Sequence, residues 1–73
     1  MTKIPQVRPK DVVKALEKAG FRRSRQTGSH LYLKHPDGRL TSIAIHLKPV
    51  PVGTLRAILK QTQLTPEELK KLL

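Results

Sequence analysis

Ser29-His30-Leu31-Tyr32-Leu33-Lys34-His35-Pro36-Asp37-Gly38-Arg39-Leu40-Thr41-Ser42-Ile43-Ala44-Ile45-His46-Leu47 holds two runs of alternating apolar and polar residues around a Pro-Asp-Gly turn. A period of two over residues 29 to 35 and 39 to 47 predicts two strands, joined as a hairpin by a type I-compatible turn. Leu31 and Leu33 share one parity, and so do Ile43 and Ile45, so burying all four on one face restricts the register. A three-residue loop with Gly38 left-handed then sets Leu31 opposite Ile43 and Tyr32 opposite Ser42. His30, Tyr32, Lys34, Ser42, Ala44 and His46 fall on the face turned away from the apolar layer. In that register His30 and His46 are diagonal neighbours, about 7 Å apart at the backbone.

Working outward, Pro9 at a first helical position, apolar residues at Val12, Val13, Leu16 and Ala19, and Gly20 as a stop define an amphipathic helix. Phe21 is placed to close its end. Arg22 to Gln26 reads as a short polar strand, with Thr27-Gly28 turning into the hairpin. Beyond the hairpin, Lys48-Pro49-Val50-Pro51-Val52-Gly53 cannot continue a sheet, because neither proline has an N–H to donate. A second helix follows with Leu55, Ile58, Leu59 and Thr62 on one side and Arg56 and Lys60 on another. Thr65-Pro66-Glu67-Glu68 is a capping-box start for a short last helix with Leu69, Leu72 and Leu73 as its apolar side. The expected class is α+β in the order α-β-β-β-α, one domain over residues 1–73 with residues 1–8 as a flexible lead-in.

The chain has 73 residues, with one Phe, one Tyr and no Trp, so a thin core must be built from Leu, Ile, Val and Ala. Fifteen Lys and Arg against five Asp and Glu give a net charge of +10. The excess leans toward the N-terminal half, with nine basic and two acidic residues up to Pro36 against six and three after it. So large a charge on so small a body is costly in self-repulsion, and a polyanionic partner is its natural explanation. Without cysteine there is neither a disulfide nor a thiolate nucleophile. Three separated histidines lack metal-ligand spacing, so no metal and no cofactor is expected. The start lacks an apolar leader and no run approaches a membrane span, giving the expectation of a cytoplasmic protein without membrane contact.

RNA carries a 2′-hydroxyl beside each phosphate, so cleaving it needs a base, an acid and cations for the developing charge. Imidazole exchanges protons near neutrality and suits the first two roles. His30 is the candidate catalytic group. Gly28 lets a phosphate approach the backbone beside it, Ser29 is a hydrogen-bond partner for phosphate, and Tyr32 shares the His30 face and is placed to stack on a base. Arg22, Arg23, Arg25, Lys34, Arg39, Lys48, Arg56 and Lys60 are the phosphate-contact candidates, unranked. His35, before Pro36, is read as structural.

The run Gly28-Ser29-His30-Leu31-Tyr32 to Gly38, the strand Ile43-Ala44-Ile45-His46 and the block Gly53-Thr54-Leu55-Arg56-Ala57-Ile58-Leu59-Lys60-Gln61 together resemble the HicA toxins of toxin-antitoxin systems, from about residue 10 to the end. Ala44, where the family often has proline, and Gln63, where a glycine usually ends the second helix, depart from the pattern. The resemblance implies a double-stranded-RNA-binding-like fold with helices on one face of the sheet. It also implies a ribosome-independent mRNA interferase with His30 at the catalytic position, mRNA as substrate and a HicB-like antitoxin as protein partner. His46 matches a histidine common in the family. The alternative on the same fold is a double-stranded RNA binder that performs no chemistry. A DNA-binding regulator using Leu55 to Gln61 as its recognition helix is weakened by the strand-rich centre.

Overall fold

The computed structural model describes residues 6–73. The elements run α1 (Pro9–Lys18), β1 (Arg22–Thr27), β2 (His30–Lys34), β3 (Leu40–Ala44), α2 (Val52–Thr62) and α3 (Pro66–Leu72). The strands form an antiparallel sheet in the order β1-β2-β3. Leu31, Leu33 and Ile43 on one face of the sheet are buried with Val12, Val13, Ala15 and Leu16 of α1 and Leu55, Ile58 and Leu59 of α2. The helices therefore cover one side only. Truncating a fully buried leucine such as Leu33 costs about 2–5 kcal/mol, a large share of the stability of a domain this size.

The hairpin has the register expected of its turn. Leu31 pairs with Ile43 and Tyr32 with Ser42. Gly38 has φ +101°, and its N–H donates to the His35 carbonyl at 2.9 Å, which closes the loop. Asp37 stabilises the turn through its carboxylate, which accepts from the Arg39 backbone N–H at 3.0 Å and from Arg39 Nε at 2.8 Å.

Helix α1 ends in a Schellman motif. The Gly20 N–H donates to Glu17 and the Phe21 N–H to Leu16, at 3.1 and 2.9 Å. Gly20 sits at φ +103°, where a side chain would be strained and where a Cβ would come within 2.8 Å of His35 Nε2. That ring packs edge-on against Phe21, with centroids 5.1 Å apart, in keeping with a structural His35. In α2, the buried side comprises Leu55, Ile58, Leu59 and Thr62. The capping box of α3 is formed: Thr65 Oγ1 accepts from the Glu68 N–H, and the Glu68 carboxylate accepts from the Thr65 N–H.

Three local expectations are corrected. Strand β3 ends at Ala44, with one further ladder bond from the Ile45 N–H to the Ser29 carbonyl at 2.6 Å. The chain then leaves the sheet because Val50 is buried and its N–H donates to the Val7 carbonyl. Val7 is itself part of the core, so the end of the expected lead-in is packed; residues 1–5 lie outside the described residues. The third correction concerns the turn between β1 and β2. Thr27 pairs with His30, leaving Gly28 and Ser29 as the turn residues, with φ positive at Gly28 alone, the sign pattern of a II′ hairpin turn.

Candidate nucleic-acid interface

Strand β1 is exposed along its whole length and has no apolar residue to phase it. Its faces are set instead by a bulge. Arg23 pairs with Leu33 and Arg25 with Tyr32, so Ser24 is the extra residue in the ladder. The bulge places Arg22, Arg25 and Thr27 on the outer face beside Lys34, Tyr32 and His30, their pairing partners. Arg23 and Gln26 instead accompany Leu33 and Leu31 toward the helix side. There Arg23 Nε lies 3.6 Å from the Glu17 carboxylate of α1.

The open face thus gathers His30, Tyr32 and Lys34 from β2, Arg22 and Arg25 from β1, and Leu40, Ser42 and Ala44 from β3. The Arg25 guanidinium lies over the Tyr32 ring at 5.2 Å from the centroid. His30 is exposed at the first position after the Gly28-Ser29 turn, which is braced by a bond from Gln26 Nε2 to the Gly28 carbonyl at 3.1 Å. No Cβ at Gly28 would meet another atom within 4 Å, so backbone conformation and not crowding calls for glycine there. All five carboxylates lie off this face: Asp11 and Glu17 in α1, Asp37 in the hairpin turn, Glu67 and Glu68 in α3. The face is cationic without counter-charge of its own.

The remaining candidates are dispersed. His46 is exposed beyond the paired ladder, so no strand pairing holds it diagonal to His30. Lys48 is exposed in the segment leading to α2, and Arg56 and Lys60 are exposed on α2. Arg39 is engaged within the fold. Its guanidinium meets Asp37, donates to the Thr62 carbonyl and lies over Phe21 at 5.2 Å, with its side chain 21% exposed. Sequence reasoning passed over Leu40 and Gln61. Leu40 carried a signal, since its even number places a leucine on the otherwise polar face, and it is 53% exposed.

Among the described residues no group of three or more His, Cys, Asp or Glu could hold a metal ion, and no helix is long and apolar enough to cross a membrane. The fold and its one-sided cationic sheet define a small basic protein of double-stranded-RNA-binding-like architecture. The family model described as HicA toxin of bacterial toxin-antitoxin matches residues 9–64, and the chain belongs to that family. It is therefore the toxin member of a toxin-antitoxin pair, and an antitoxin is implied as its partner. No curated protein matches the chain at a significant level.

Proposed function

We propose that this toxin is a metal-independent endoribonuclease, an mRNA interferase, with His30 as its general acid or base. The observation that carries the reading is the exposed His30 on the open sheet face, with Tyr32 and Arg25 next to it, Lys34 farther along the same face, and every carboxylate off that face. An RNA strand laid across this face brings a phosphate to the cations and a 2′-hydroxyl to the imidazole. His30 moves the proton of the 2′-hydroxyl or delivers one to the leaving 5′-oxygen. The O2′–P bond forms as the P–O5′ bond breaks, leaving a 2′,3′-cyclic phosphate and a 5′-hydroxyl. Arg25, diagonal to His30 across the ladder, opposes the charge that builds on phosphorus; Arg22 and Lys34, farther along the face, hold neighbouring phosphates, while Gly28 and Ser29 keep the approach beside His30 low. Residues 1–73 act as one toxin domain in the cytoplasm, and a HicB-like antitoxin neutralises it by covering the cationic face.

The test is cleavage of a purified RNA by wild type and His30→Ala. The variant is expected to fold and bind RNA without cutting it, since His30 is exposed and adds nothing to the core. Excess chelator should leave wild-type cutting intact, and a 2′-deoxy substitution at the cut site should abolish it. Equal cutting by the His30→Ala protein removes His30 from the chemistry; loss in chelator, with 5′-phosphate ends in its absence, points to a metal-activated water.

A further inference from the structure

We propose that the depression at the β3 edge of the outer face is a nucleobase pocket that prefers keto bases to amino bases, an inference that rests on the nuclease reading of His30. The depression encloses about 210 Å3 and is lined by Tyr32, Leu40, Thr41, Ser42 and Gln61.

Its walls follow from the ladder. The bonds from His35 to Arg39 and from Ile45 to Ser29 make the odd-numbered pairs the hydrogen-bonded ones. The even pairs, Tyr32 with Ser42 and Lys34 with Leu40, are then the close-set ones. Leu40 accordingly stands diagonally beside Tyr32 from the β3 side, while Arg25 covers the ring from the β1 side. A flat group entering over Ser42 meets the aromatic ring and the leucine methyls together.

An exposed leucine is common on protein surfaces and alone would carry nothing. Gln61 makes the difference. Thr41 is 3% exposed, and its hydroxyl donates to Gln61 Oε1 at 2.7 Å. Among the described residues this is the one hydrogen bond of the Thr41 side chain, so the carboxamide is held with its oxygen toward Thr41. The NH2 group remains for a ligand. It donates and cannot accept, so toward the position-4 edge of a pyrimidine it pairs with the uracil carbonyl and leaves the cytosine amino group without a partner.

Charge favours a nucleotide as the occupant. Lys34, the pairing partner of Leu40, places a cation beside the depression for a flanking phosphate. Tyr32 is two residues from His30 along β2, about 7 Å, the reach of one nucleotide. The base read here belongs to the nucleotide beside the scissile phosphate.

The test uses the full chain labelled for NMR, titrated with uncleavable 2′-O-methyl hexamers of uridine and of cytidine, together with mapping of cut sites in a mixed-sequence RNA. Uridine should bind about fivefold more tightly than cytidine, the worth of one hydrogen bond, with shifts centred on Tyr32, Leu40 and the Gln61 NH2. Leu40→Ala should weaken both hexamers several-fold. Gln61→Glu keeps the acceptor for Thr41 but presents a second acceptor to the pocket, so the preference should reverse toward cytidine. Equal binding of the two hexamers by wild type, a preference unmoved by Gln61→Glu, or shifts at these residues with an antitoxin segment but not with either hexamer overturns the proposal. Uridine-selective binding by a protein that cuts no RNA leaves the pocket standing and defeats the nuclease reading.

Discussion

Arg25 lies over the Tyr32 ring because Ser24 is a bulge: in a ladder continued unbroken from Arg22 and Arg23, Ser24 would face Tyr32 and Arg25 would pair with Leu31 on the helix side. The place of that break in the ladder therefore decides which arginines look toward solvent on the open face. Arg22 and Arg25 do; Arg23 meets Glu17 instead.

The two neighbouring arginines should separate cleanly in RNA binding. Arg25→Ala is expected to lower affinity across sequences and to reduce the salt dependence by about one counterion. Its loss of the ring contact costs about 0.5–1 kcal/mol of stability. Arg23→Ala should leave the salt slope unchanged and lose about 0–1 kcal/mol with its exposed ion pair. Affinity measured over a range of salt, beside thermal melts, checks both; the reverse pattern would undo the assignment of faces.

Deleting Ser24 should be tolerated, since the pairs on both sides of it already keep register without it. The shortened protein is expected to fold with Arg25 still against Tyr32, seen as NOEs between them. Deleting Gln26 instead removes the bulge by swinging Arg25 toward Leu31, and it should lower the melting temperature markedly. Bulges also blunt exposed edges, so the Ser24 deletion should associate more readily at high concentration, as sedimentation would show.

Gln63 ends α2 at φ 59°, ψ 30°, a left-handed position taken by a residue other than glycine. The Gln63 and Leu64 N–H groups close the helix onto Lys60 and Leu59. Gln63→Gly should raise stability by about 0.5–1 kcal/mol, the conformational gain outweighing the looser unfolded chain, and Gln63→Val should lower it. Chemical denaturation of the three proteins measures the order.

Acid should destabilise the protein through two carboxylates. The Arg39 backbone N–H bonded to Asp37 holds that carboxyl below the ordinary range; burial opposes this, and the Arg39 and His35 charges add to it. The Thr65 backbone N–H does the same for Glu68, helped by the Thr65 hydroxyl. A depressed folded-state value means stabilisation that is present above the unfolded value, about 4, and lost as pH falls through the folded one. Asp37→Asn and Glu68→Gln should therefore melt lower than wild type at neutral pH and converge with it in acid. A gap that persists or widens at low pH would contradict the linkage.

The hairpin was readable because parity and loop length constrain each other. Leu31, Leu33, Ile43 and Ile45 demand one face, and a three-residue loop ending in Gly38 permits the register that supplies it. The buried side of α2 and the Thr65-Glu68 cap were legible for similar reasons, each being a local pattern with one good solution. Strand β1 offered no such pattern. All six of its residues are exposed, so neither the Ser24 bulge nor the sorting of its arginines could be phased from sequence. The end of β3 depended on Val7 and Val50 meeting, a contact between distant segments. Arg39 looked like any other surface cation until the fold put Asp37, Phe21 and Thr62 around it.

Along β2 and β3, every second residue answers to a different selective constraint. Positions 31, 33, 41 and 43 are buried, and most changes there are lost with the fold. The alternate positions 30, 32, 34, 40 and 42 are partly or fully exposed, and surface changes of this kind usually stay within about 0.5 kcal/mol. The solvent-side half of the hairpin is thus open to mutational drift with little cost in foldability. On the proposed reading of the open face, a toxin lineage built this way can diverge in what its sheet recognises, and its antitoxin can diverge with it, while the core beneath stays unchanged.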